Sequence, residues 1–174
     1  MKARLLLAPC LAAALLLAAV MSSAAAAPAP TATKACSTAG LVVWAGEEPG
    51  GGAAGSVYYR IELTNLSTAT CTVKGYPKVN AVDLKGHRIG AFATHEAGKA
   101  AKLVTLAPGQ SASATLRIVD ALNFPADKCK ATTAAGLRVA IPGGHGNKIA
   151  PLAFETCVRA ASKTLSVAPV RATG

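Results

Sequence analysis

Acidic and aromatic residues are scarce in this 174-residue chain. Eight Asp and Glu stand against eighteen Lys and Arg, and there are one Trp, three Tyr and three Phe. Few carboxylates leave little material for paired acid/base chemistry, and Glu47-Glu48 fall in a Gly-rich segment that would hold them loosely. Both methionines, Met1 and Met21, lie near the N-terminus, so a His/Met copper site has no sulfur to use. There is no C-x-x-C pair, which speaks against a four-thiolate zinc clip. His95-Glu96 begins like H-E-x-x-H, but Lys99 stands where the second histidine belongs. No Ser has a Lys three residues later and no G-x-S-x-G elbow occurs, so the acyl-transfer motifs are missing. Gly50-Gly51-Gly52 lacks the G-K-[ST] of a phosphate loop and reads as a mobile connection. His87, His95 and His145 sit beside Gly or small residues and read as solvated loop histidines. The chain is therefore expected not to be an enzyme. No catalytic, cofactor-binding or metal-ligating residue is assigned, and no cofactor is expected.

The first 26 residues read as a Sec signal peptide. Lys2 and Arg4 make a positive start, Leu5 to Met21 is apolar apart from Pro9, and small residues at 22–27 supply an A-x-A cleavage site. Cys10 lies too early, inside the apolar stretch, for a lipoprotein cysteine. No other stretch approaches the length of a membrane span, so the mature chain is expected to have no transmembrane segment and to be secreted, either free or associated with the cell wall. Losing Lys2 and Arg4 takes the formal charge from +10 to +8. Residues 27–35 are Pro- and Ala-rich and read as a flexible lead-in to one domain at 36–174.

Four cysteines remain after the leader: Cys36, Cys71, Cys129 and Cys157. An even count in an exported chain implies two disulfides. Three connectivities are open. Nearest-neighbour pairing, Cys36–Cys71 with Cys129–Cys157, is preferred and closes loops of 35 and 28 residues. Each such closure stabilises by roughly 3.5–4 kcal/mol in the chain-entropy model, a useful amount where alanine dilutes the core.

Between the cysteines the pattern is β. Val57, Tyr59, Ile61 and Leu63 alternate with Tyr58, Arg60, Glu62 and Thr64, and Ala112, Ala114, Leu116 and Ile118 alternate with polar residues. Further strands are expected at 41–44, 71–73, 78–84, around Ile89 and Phe92, and at 103–106, 137–141 and 165–167. Residues 47–55 read as a Gly-rich loop, Asn65-Leu66-Ser67 and Ala107-Pro108-Gly109 as turns, and only 96–102 and 126–135 as possible short helices. For 78–84 the core-facing set is left open. Strands and turns at this spacing argue for an all-β sandwich rather than βαβ units.

The basic excess is the remaining functional signal. Lys74, Lys78, Lys85, Arg88, Lys99, Lys102, Lys128, Lys130 and Lys148 are spread along the chain, mostly at turns. They are neither clustered nor interleaved with aromatics, so nucleic acid is not expected as a partner. A solvated basic surface accounts for them, and attraction to an anionic envelope polymer is the functional alternative. Tyr58 and Arg60, opposite the apolar set of their strand, are the tentative surface contacts, with Tyr58 the aromatic expected to be exposed.

The run Cys71-Thr72-Val73-Lys74-Gly75-Tyr76-Pro77-Lys78-Val79 is similar to the T-C-x-x-x-G-Y-P-x-V signature of an actinobacterial family, the domain of unknown function 4232. Residues 59–65, 106–112, Asn123-Phe124-Pro125 before Cys129, and Cys157 followed by 165–170 extend the resemblance over about 36–170. It implies a secreted or envelope-tethered, immunoglobulin-like β-sandwich, here of about 7–9 antiparallel strands, with two disulfides, and it transfers no catalytic residue. The expected function is a non-catalytic extracellular or envelope binding module, its partner an anionic polymer or another exported protein. A secreted protease inhibitor, using 47–55 or 99–102 as its exposed loop, and a hydrolase without a recognisable motif are the alternatives.

Overall fold

Alternation is realised most cleanly in the strand at Ser111–Val119, where every second side chain from Ala112 to Ile118 is buried. That period follows from the pleat, which points successive side chains to opposite faces. The computed structural model describes residues 32–173. The leader lies outside the described residues. Twelve strands are described: β1 (Leu41–Ala53), β2 (Ser56–Asn65), β3 (Cys71–Lys74), β4 (Lys78–Val82), β5 (Arg88–Phe92), β6 (Thr94–His95), β7 (Leu103–Leu106), β8 (Ser111–Val119), β9 (Ala131–Ala140), β10 (Asn147–Cys157), β11 (Leu165–Val167) and β12 (Arg171–Ala172). One sheet has the order β1-β2-β8-β11-β6, with β12 also on β8. A second runs β10-β9-β4-β5, and β3 pairs with β7. All pairs are antiparallel except β11 with β6. The two larger sheets bury one common core. Ile61, Leu63, Leu116 and Val167 come from the first, and Val79, Leu137, Val139 and Ala150 from the second. Full burial of each large aliphatic side chain contributes about 1.5–3 kcal/mol.

Both disulfides form in the preferred pairing, Cys36–Cys71 and Cys129–Cys157. Cys36 belongs to the main core with Cys71 packed against it, whereas Cys129 and Cys157 lie in a separate small cluster. The first fastens the N-terminal segment to β3, where Cys36 N–H donates to Thr72 O and Thr72 N–H donates to Lys34 O, both at 2.9 Å. Lys34 and Ala35, at the end of the segment read as a flexible lead-in, thus run beside β3. The second closes a small satellite core of Ala121, Cys129 and Cys157 against Phe124.

Several expectations are corrected. The Gly-rich segment 47–55 is mostly β ladder: Glu47 pairs with Tyr59 and Gly52 with Val57, with a bulge between. Glycine is needed there because the backbones crowd. A Cβ at Gly51 would meet the carbonyl oxygens of Glu48 and Tyr58 at 2.8 Å each. The loop is therefore not a free one. Residues 96–102 form no helix, and 126–135 is helical only over α1 (Ala126–Cys129). Lys130 leaves it in the left-handed region at φ 50°, and β9 starts at once on β10. The strand expected over 78–84 ends at Val82, and Leu84 is almost fully exposed at the turn tip. Within it Val79, Asn80, Ala81 and Val82 are all buried, so neither face is the solvent face. The strand β10 had no counterpart in the sequence reading. It is a sheet edge, where Pro151 is tolerated at the irregularity between Pro151 and Phe154.

Candidate functional site

The signature turn builds the most distinctive concavity. Gly75, at φ 112°, accepts a hydrogen bond from Val170 N–H at 2.9 Å and so draws the C-terminal segment alongside. Few residues other than glycine tolerate that dihedral. The next residue, Tyr76, stacks on His95 with ring centroids 4.2 Å apart. Its hydroxyl donates to the carbonyls of Glu96 and Lys99, at 3.2 and 2.6 Å. Tyr76 thereby pins the 96–102 loop, and Pro77 behind it is buried. His95 is exposed but not a free loop histidine, since its ring is half of that stack.

Between the pinned loop and the C-terminal segment lies a groove of about 520 Å³ lined by Gly98–Ala100, Lys102–Val104 and Val170–Ala172. Its charged lining is Lys99, Lys102 and Arg171, with no carboxylate among the lining residues. Lys99 also reaches Glu96 Oε2 at 2.6 Å just outside. All three cations are exposed; the Glu96 carboxylate offsets the charge of Lys99, so Lys102 and Arg171 carry most of the positive charge the groove presents. Lys99 and Lys102 stood in the sequence as two among many dispersed cations. Arg171 gave no sequence signal, because only the pairing of β12 with β8 brings it there.

The outer face of the first sheet adjoins this groove. Tyr58 and Arg60 both lie on it, as alternation places them, and both are half-buried. Arg60 Nε donates to Glu48 Oε1 at 3.4 Å across the bulged hairpin. Arg117 Nε donates to Ser56 Oγ at 3.0 Å. The most exposed aromatic on the face is Trp44, at 54%, not Tyr58. Tyr58 is on a central strand flanked by β1 and β8, whereas Trp44 is on the edge strand β1. Beside Val42 and Glu62 the face carries small hydroxyls, including a Thr64–Ser111 pair at 2.8 Å.

A second cavity, about 570 Å³, opens where the β1–β2 hairpin meets Tyr59, Ile118, Asp120, Phe154 and Glu155. Its two carboxylates have structural partners. Asp120 accepts from Leu122 N–H at 2.9 Å, and Glu155 accepts from the Thr133 hydroxyl. Burial, and secondarily the Glu47 charge, push the Tyr59 phenol above its ordinary range. Among the described residues no group of three or more His, Cys, Asp or Glu is placed to hold a metal ion.

Fold and site together define a disulfide-stapled, all-β module with a basic groove beside a hydroxyl-rich sheet face. The chain belongs to the family described as Domain of unknown function (DUF4232), which matches residues 36–171. No curated protein and no solved structure matches it. Among the described residues, no helix is long and apolar enough to cross a membrane.

Proposed function

We propose that this chain is an exported, non-catalytic binding module that holds an anionic polymer of the cell envelope in the groove of Lys99, Lys102 and Arg171. The observation that carries the reading is the convergence of three cations on a concavity whose lining has no acid. The two disulfides and the leader-like residues 1–26 support export to an oxidising compartment. An immunoglobulin-like arrangement is supported by the chain crossing between the two sheets from β2 to β4, from β5 to β6, from β8 to β9 and from β10 to β11. The engagement of Asp83, Glu96, Asp120 and Glu155 in local hydrogen bonds or ion pairs supports a non-catalytic role.

The test is retention on an isolated cell-wall preparation at stepped salt. Screening shortens from about 10 Å at 0.1 M to about 3 Å at 1 M, so bound protein elutes across that range. Retention indifferent to 1 M salt overturns the electrostatic reading, and capture of a discrete exported protein in place of polymer redirects it.

A further inference from the structure

We infer that the groove is one end of a longer track, and that its ligand is an acidic polysaccharide with a sugar ring stacked on Trp44. This rests on the anionic-polymer reading and narrows it to one class. The argument starts from register. Trp44 pairs with Glu62, Glu62 with Ser113, and Ser113 with Arg171, so four residues on β1, β2, β8 and β12 share one row. Paired residues project to the same face, and this is the outer face because the flanking Leu63, Ala112 and Ala114 are buried. Three interstrand spacings carry the row about 14 Å, from the exposed indole to the arginine that lines the groove.

The indole is held as a flat surface. Gly46, two residues on, lies beneath it: a Cβ there would collide with the ζ2 and η2 carbons of Trp44. With no side chain at 46, the ring rests along the strand and turns its other face outward, 54% exposed. A flat aromatic face is suited to the apolar C–H face of a sugar ring, while a bare phosphate has nothing to stack. Between the indole and Arg171 the row offers Glu62 and Ser113, with Thr64 and Ser111 beside them. Glu62 itself receives the Thr64 hydroxyl at 3.4 Å. The Glu62 carboxylate and the hydroxyls beside it can hydrogen-bond sugar hydroxyls, donors that a polyphosphate chain lacks. The cations of Lys99, Lys102 and Arg171 at the far end then take the ligand's acid groups.

Trp44 is the chain's sole tryptophan, so its emission reports the track directly. The full mature protein is titrated with polygalacturonate and with inorganic polyphosphate, and binding is followed both by Trp emission and by co-sedimentation. Polygalacturonate is expected to shift the emission saturably and to bind about five- to tenfold more weakly to Trp44→Ala. Gly46→Val, which keeps the tryptophan but lifts the ring off the strand, is expected to weaken it similarly. Polyphosphate is expected to bind without moving the emission and to be indifferent to Trp44→Ala. Lys102→Glu with Arg171→Glu is expected to abolish both. Polygalacturonate binding that leaves emission and the Trp44→Ala affinity unchanged, or binding of polyphosphate alone, overturns the track and leaves the groove standing. Binding of neither polyanion overturns the groove as well.

Discussion

Removing the two cross-links should unfold this domain far more effectively than removing comparable core volume. The Cys36–Cys71 bridge closes 35 residues and Cys129–Cys157 closes 28. The chain-entropy relation gives about 3.8 kcal/mol for the first loop and about 3.6 kcal/mol for the second. Together these rival the roughly 5–15 kcal/mol by which a whole domain is stable. The bridges fall in separate side-chain clusters, one in the main core and one in the small satellite core, so their contributions should add. The assay is equilibrium unfolding in guanidinium chloride of the oxidised protein, the two paired Cys→Ala variants and the reduced wild type. Cys36, Cys129 and Cys157 are buried, so alanine also removes packing, whereas reduction keeps the sulfur atoms in place. Each paired variant should lose about 3–4 kcal/mol, and the slope with denaturant should rise as the unfolded chain expands. A loss below about 1 kcal/mol for either pair would refute the argument that the staples carry much of the stability.

Other consequences are more local. Tyr76→Phe deletes the hydroxyl that holds Glu96 and Lys99 carbonyls; it should cost about 1 kcal/mol and speed amide exchange across 96–102 while leaving β8 protected. Asn65, fully buried, donates to Ala69 O and Leu106 O and accepts from Ser67 N–H and Ser67 Oγ. Asn65→Ala should therefore destabilise by about 1–3 kcal/mol in denaturant melts, and Asn65→Asp, which faces two carbonyls with a carboxylate, by more. The His87 N–H donated to Asp83, helped by the His87 ring and Lys85 N–H, holds the Asp83 carboxyl below its ordinary 3.8. That contribution to the 83–87 turn is present above the ordinary aspartate value and is lost as pH falls through the lowered one. An NMR titration should show the His87 amide shifting at an acid pH below the aspartate norm, and Asp83→Asn should remove the transition.

What the sequence disclosed depended on how local each cause was. Period-two burial in β2 and β8 was readable because each strand has one face on the core and one outward. Position 78–84 resisted because β4 is covered on both faces, so its pattern has no period. The edge strand β10 was hidden by Pro151 and by a Gly-rich approach, features that read as loop but are tolerated at a sheet edge. Glycines at 50–52 encoded a bulge where two backbones meet, a cause invisible without the partner strand. The site was least legible. Tyr58 and Arg60 were placed on the right face, but the exposed aromatic is Trp44, and Arg171 joins Lys99 and Lys102 only through pairing across 58 residues of chain, from Ser113 to Arg171.

Lys99, Lys102 and Arg171 are proposed to form an anion-binding groove. Its most direct test is the salt dependence of affinity for one acidic polymer, compared between the wild type and the Lys102→Glu, Arg171→Glu double variant. If the groove engages about two to three charges, the logarithm of the wild-type binding constant should fall steeply and linearly with the logarithm of salt, as for other polyelectrolytes. The double variant should show no measurable binding even at low salt while unfolding at the same denaturant concentration. Equal affinity and an equal salt slope in the two proteins would contradict the account.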